Sequence, residues 1–211
     1  MREKFALVPR ALANKMGEIR QLRRKPESLA KLKRAARKLF VERGYHATRP
    51  QDIAREAGLG HGTFYLHYPD KKACFLAFVD DAREELHEFM LARQPLEKTL
   101  ENTIAANLKG IYEYSAEHPG VLAAAMTDEL VIDAEGAQAT PLLVRWGFDW
   151  ANVVREAMRN GQASNSYDAE IVGQAILGAI HQVASEGARS QRKREEVLDN
   201  LTRFLVRALK P

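Results

Sequence analysis

The sequence predicts an all-α protein, with a three-helix head near the N-terminus and a larger helical body behind it. Three observations carry that expectation. Apolar residues recur at spacings of three and four along most of the 211 residues, the repeat that puts them on one face of a helix. No alternating, strand-like pattern runs for more than a few residues. Glycine and proline punctuate the periodic stretches, as at Gly44, Gly58, Pro69, Pro95 and Pro119-Gly120.

Charge separates the two parts. Residues 1–70 hold 16 basic and 7 acidic residues, a net of +9, and residues 71–211 hold 16 and 21, a net of −5. A basic first third on an acidic remainder points to a segment that meets a polyanion and a body that does not. No apolar run approaches the roughly 20 residues needed to cross a bilayer. The first ten residues have no apolar core of a secretion signal, and the single cysteine, Cys74, cannot form an internal disulfide. Together these features lead us to expect a cytoplasmic protein with no membrane association.

Residues 1–25 read as a basic extension, with eight basic residues against two acidic. A weak helical pattern (Leu7, Leu12, Met16, Ile19, Leu22) leaves open whether it is an extra helix or an arm. Arg20, Arg23, Arg24 and Lys25 are placed to lie along a groove or phosphates; a solvated helix is the alternative. The head is expected at 26–72. Its first helix, 28–43, carries Leu29, Leu32, Ala36, Leu39 and Phe40 on one face and stops at Gly44. Thr48 with Gln51 three positions on reads as a capping box, and Pro50 suits the first turn. A short helix over 49–57 follows, then Gly58 as a turn, a second short helix over 61–68 and Pro69. Asp70 is the expected N-cap of a long helix over 71–93.

Two short helices across a glycine turn in a basic segment form a helix-turn-helix candidate. Ile53, Ala54, Leu59 and Phe64 are the apolar residues expected to face inward. His61, Gly62, Thr63, Tyr65 and His67 are left outward, small or hydrogen-bonding residues of the kind that reach base edges and phosphates in a major groove. For Tyr65 and His67, packing inside the head is the competing reading.

The stretch 35–77 resembles the N-terminal domain of TetR-family repressors. The resemblance rests on Ala36/Leu39/Phe40, Gly44/Tyr45, Thr48 through Ala54, Gly58, Gly62/Thr63/Tyr65, Tyr68/Pro69 and Lys71. It implies that Thr48, Arg49 and Gln51 touch phosphate or a base, that His61, Gly62 and Thr63 open the recognition helix, and that Tyr65, His67 and Lys71 contact the DNA backbone. Gly60 stands where members often have Ser, Leu66 where they are often polar or aromatic, and His67 where they are often aromatic. The resemblance further implies a sequence-specific regulator, by family default a repressor, that binds a palindromic double-stranded operator as a homodimer and is released by a small effector.

The body, 73–211, is expected to hold that effector and the dimer contact. Helices are expected over 96–117, 121–130, 141–161, 168–187 and 195–209, with loops at 133–136 and 162–167. Phe89, Leu108, Tyr112, Met126, Trp146, Trp150 and Met158 suit a pocket for a largely hydrophobic molecule, with ordinary core packing as the competing reading. His181, among apolar neighbours, reads as a core histidine. Ile176, Ala179 and Val183 on one helix and Leu201, Phe204 and Leu205 on the next form stripes for the two-fold contact.

No catalytic or cofactor motif emerges. Glu84-x-x-His87 is half of a di-iron pattern without its second half, and reads as a solvated helix face. Zinc, P-loop and nucleophile-elbow motifs are not found. The expectation is a non-enzyme with no cofactor or metal. The alternative is a nucleoid or division-type DNA-binding factor with the same head and no small-molecule sensing.

Overall fold

The computed structural model describes residues 10–127, 142–187 and 192–211. Among them are nine helices and no strand: α1 (Arg10–Ala47), α2 (Pro50–Glu56), α3 (His61–Tyr65), α4 (Lys71–Leu91), α5 (Leu100–Glu117), α6 (Val121–Thr127), α7 (Leu142–Arg159), α8 (Ala169–Gly187) and α9 (Arg194–Leu209). The expected loop at 133–136 lies outside the described residues. None of the described helices is long and apolar enough to cross a membrane.

The chain divides into two compact units, residues 1–78 and 79–211. Residues 71–78 of α4 belong with the first unit because Phe75 and Phe78 complete its core. Phe75 meets Phe40 edge-on, with ring centroids 5.0 Å apart, and Leu32, Ala36, Leu39, Ile53 and Phe64 are buried with them.

The first helix corrects one expectation. It begins at Arg10, not near residue 28, and continues through Pro26. Proline removes one donor, the bond its N–H would have made to the carbonyl four residues earlier. The helix nonetheless continues on both sides of Pro26. It breaks where expected, at Gly44, whose φ of 75° and ψ of 172° leave the helical region.

The helix-turn-helix is built from local rules. Gly58, at φ 66°, ends α2. Its N–H donates to Arg55 (3.0 Å), and the N–H of Leu59 donates back to Ala54 (2.9 Å), the paired bonds of a Schellman termination. The third helix is shorter than expected, stopping at Tyr65 rather than Tyr68. Asp70 caps α4 as expected, its Oδ1 accepting from the N–H of Ala73 at 2.7 Å.

In the second unit, α5 starts four residues later than expected, because Thr99 caps it by accepting from the N–H of Asn102 at 3.1 Å. The core gathers Ile104 and Leu108 of α5, Trp150 and Val154 of α7, Leu177 and Ile180 of α8, and Leu201 and Leu205 of α9. The α7–α8 pair is the most extensive helix contact, and glycines make it close. A Cβ on Gly173 would collide with the carbonyl oxygen of Gly147 and stand 2.6 Å from the amide nitrogen of Ala151. Both obstacles are backbone and cannot rotate away. Gln174 ties the same seam by donating from Nε2 to the carbonyl of Val144 at 3.0 Å.

Gly173→Ala is therefore expected to destabilise the protein by roughly 1–3 kcal/mol, the cost of overpacking a tight contact. The measurement is the urea unfolding midpoint. An unchanged midpoint would mean the two helices do not approach this closely.

Candidate nucleic-acid interface and effector cavity

The outward surface of the head follows from what its inner side must bury. Ile53, Ala54 and Phe64 are fully or almost fully buried. Phe64 also packs its ring on that of Tyr68, 5.6 Å away. With Phe64 fixed inward, helical spacing sends His61, Gly62, Tyr65 and Leu66 outward, and all four are exposed. Tyr65 is 48% exposed, and His61 meets its ring edge-on at 5.2 Å. Arg49 and Gln51, at the start of α2, are exposed as well.

Gly62 has no packing reason to be glycine, since a Cβ there would meet nothing within 4 Å. Glycine on an exposed helix costs about 1 kcal/mol against alanine. Its place on this face suits the close approach of another molecule's backbone. Leu66, 71% exposed, was not among the expected contacts. Its signal was an apolar residue in an outward helical position, and it offers the apolar contact that a thymine methyl group accepts.

Four expected contacts are placed differently. Thr48 is a correction: it is fully buried and does not cap α2, whose N-cap is Arg49 with no side-chain bond. Its hydroxyl instead donates to the carbonyl of Gly44 at 2.8 Å and lies 3.3 Å from that of Leu39. The positive φ of Gly44 turns the chain so that this side chain meets carbonyls that the end of α1 leaves free. Lys71 is half-buried; its ammonium donates to the carbonyl of Tyr45 at 2.9 Å and sits 4.0 Å from the centre of the Tyr45 ring. His67 is half-buried, its Nε2 2.7 Å from the hydroxyl oxygen of Ser28. Thr63 is half-buried on α3. Cys74 is buried, and desolvation pushes its thiol up to about 12, so it offers no thiolate near neutral pH.

The second unit encloses a cavity of about 1160 Å³. Leu108, Tyr112, Met126, Trp146 and Trp150 line it. Phe89 and Met158 do not, and helix phase explains both corrections. On α7 the apolar lining positions are Trp146, Trp150, Val153 and Ala157, with Asp149, Asn152 and Glu156 beside them; Met158 falls one step round, on the core face with Val154. On α4, Arg83, His87 and Met90 line the cavity. Phe89 is turned toward Tyr114 (5.6 Å, edge-on) and lies beneath the Arg93 guanidinium at 3.4 Å. Tyr114 is fully buried and donates to Glu85 Oε2 at 3.0 Å. His181 is a further correction: it is exposed and lines the cavity instead of sitting in the core. Glu84 and His87 are exposed and line it too.

The two apolar stripes also divide. Ile176, Leu201 and Leu205 are buried in this chain's own core, so they are not free for a partner. Ala179 and Val183 are half-buried against that core, and Val183 lines the cavity. Phe204 is outward at 61% exposure, as are Ile171 at 72% and Phe148 at 39%.

Residues 32–78 match the family model of bacterial regulatory proteins of the tetR family. An uncharacterized HTH-type transcriptional regulator of Bacillus subtilis, YuxN, is 40% identical over 45 residues, 21% of this chain and 16% of that protein. The HTH-type transcriptional repressor KstR2 of Rhodococcus jostii is 27% identical over 140 residues, 63% of this chain and 66% of its own. The chain thus spans less than two thirds of the length of both relatives. The structure of the transcriptional regulator FadR from Bacillus subtilis in complex with stearoyl-CoA is similar in fold, with a TM-score of 0.67 at 18% identity over 84% of this chain and 97% of that one.

The buried Thr48 yields a test that separates its two roles. Thr48→Val keeps the shape and removes the donor, so stability is expected to fall by about 1–2 kcal/mol as buried carbonyls lose their partner. DNA affinity should stay as it was. A normal denaturant midpoint with weakened DNA binding would restore Thr48 as a phosphate contact.

Proposed function

We propose that the chain, whose residues 32–78 match the tetR family model, is a TetR-type regulator and a homodimeric repressor released from a near-palindromic operator by a small, largely apolar molecule. The observation that carries this reading is the pairing of an outward, hydrogen-bonding α3 face with a large, mainly apolar cavity in the other unit. A purely architectural DNA-binding protein has no use for the second.

On this reading the head divides its work. His61, Gly62, Thr63, Tyr65 and Leu66 enter the major groove on α3, with base-edge contacts falling to His61, Thr63 and Leu66 and phosphate contacts to Tyr65. Arg49 and Gln51 hold the backbone from the start of α2. Lys71 and His67 have other partners within the head and serve DNA chiefly by holding α3 in place, each keeping donor capacity toward phosphate. The basic charge of residues 1–70 supplies salt-dependent, sequence-independent attraction.

The stearoyl-CoA of the FadR complex carries a long apolar chain, and the size and lining of the present cavity support an apolar effector here as well. Its occupancy favours a conformation whose paired heads no longer match successive grooves, a population shift set by its difference in affinity for the two states. Ile171, Ala175 and Gly178 on α8 and Phe204 and Ala208 on α9 are exposed and form the apolar, small-residue face for the two-fold partner.

Two measurements test this. In selection from a random DNA pool, the wild type is expected to enrich a near-palindrome. His61→Ala/Tyr65→Ala should bind it at least about tenfold more weakly with its thermal midpoint unchanged, because both residues are exposed. Equal binding by the variant would remove α3 as the reader. In sedimentation velocity, Phe204→Glu is expected to run as a monomer where the wild type runs as a dimer; a dimeric variant would move the contact elsewhere.

A further inference from the structure

The inner wall of the cavity is apolar, with Leu108, Trp150, Ala157, Leu177 and Leu201 all buried and lining it. One polar side chain interrupts it. Asn107, on α5, lines the cavity and is 7% exposed. Among the described residues Thr48 and Asn107 are the buried polar side chains, and they differ in how they are satisfied. The Thr48 hydroxyl is spent on the end of α1. The Asn107 carboxamide makes no hydrogen bond to any described residue, and its polar atoms are not sealed in the core. What exposure it keeps is toward the cavity.

Facing the cavity, the carboxamide is left for whatever fills it. An occupant that displaces water there and brings no partner leaves the group unsatisfied at a cost of roughly 1–3 kcal/mol, whereas leucine, with nearly the same branching, makes no such demand. Asn107 sits between Ile104 and Ile111 on α5 and beside Leu108, positions where an apolar residue would serve packing better. The neighbouring polar residue Gln162 is already engaged, its Oε1 accepting from the N–H of Leu100 at 2.6 Å.

Charge narrows what can meet Asn107. No charged side chain among the described residues is buried. Arg83 is half-exposed and paired with Asp149 at 3.5 Å, and Glu84 and Arg194 are exposed. Arg83 Nε is buried without a hydrogen-bond partner, but the charge of that guanidinium is met by Asp149, and Lys98, Glu156 and Arg192 line the cavity as exposed residues, so no uncompensated charge is buried beside Asn107.

We propose that Asn107 is the polar anchor of the effector site and selects an apolar molecule bearing a neutral hydrogen-bonding group, a carbonyl, amide or hydroxyl, on its buried portion. This rests on the sensing role proposed above.

The test uses a matched pair of probes, 9-fluorenone and fluorene, which differ by a carbonyl in place of a methylene. Uptake of each is measured by equilibrium dialysis on the full-length protein and on Asn107→Leu. In the variant the preference for fluorenone over fluorene is expected to fall about five- to tenfold, the worth of one neutral hydrogen bond in an apolar site, while fluorene uptake holds or rises. An unchanged preference with both probes still bound would overturn the role of Asn107 and leave sensing intact. Failure of the wild type to take up either probe would overturn the sensing role itself. The thermal midpoint of Asn107→Leu is expected to hold or rise; a marked fall would show that the carboxamide serves the fold, and would overturn the proposal as well.

Discussion

The close approach of α7 and α8 constrains most of what the second unit does. It exists because Gly173 has no Cβ to place against the backbone at Gly147 and Ala151. Once the two helices are held at that distance, the rotation of α7 about its axis is no longer free. Val154 must face the core, and Trp146, Trp150, Val153 and Ala157 must then face the cavity. The cavity wall is thus a by-product of a backbone contact on the other side of the same helix. Packed interfaces of this kind have a few discrete arrangements rather than a continuum, which suits the sensing role proposed for this unit.

The head is organised by a different economy. Its inner polar groups are spent locally: Thr48 on Gly44, Lys71 on Tyr45, His67 with Ser28. These bonds hold α1, α3 and the start of α4 around Phe40, Phe64 and Phe75 without using the outward face. That face is left with small or hydrogen-bonding side chains and one exposed leucine. The division matters because a reading helix needs rigidity behind it and unsatisfied capacity in front.

Much of this was legible in the residues. The all-helical class follows from periodicity, and the inward positions of Ile53, Ala54 and Phe64 from the pattern of the short helices. Gly44 and Gly58 marked their turns because each needs a positive φ. Where the sequence misled, the reasons are physical. Thr48 satisfies a capping pattern and a C-terminal carbonyl pattern alike, and only the turn at Gly44 chooses between them. Pro26 is a boundary in most contexts, yet α1 runs through it with the loss of one backbone donor. Met158 and Ala157 differ by one step of helix phase, and composition favoured the larger side chain while geometry selected the smaller. On α8 and α9 an apolar stripe does not say which part meets the chain's own core. Ile176 and Phe204 looked alike until tertiary packing separated them. Asn107 drew no attention because nothing in a sequence distinguishes a solvated asparagine from one shut in an apolar wall.

The chain has two tryptophans, Trp146 and Trp150, and both line the cavity. One turn apart on α7, they place the strongest intrinsic chromophores of the molecule on the wall that an occupant touches. Indole emission shifts with the polarity and mobility of its surroundings, so the exchange of water for an apolar molecule alters the light these residues emit. No tryptophan elsewhere adds a constant background. The protein therefore carries its own optical gauge of occupancy, with no label and no change of sequence.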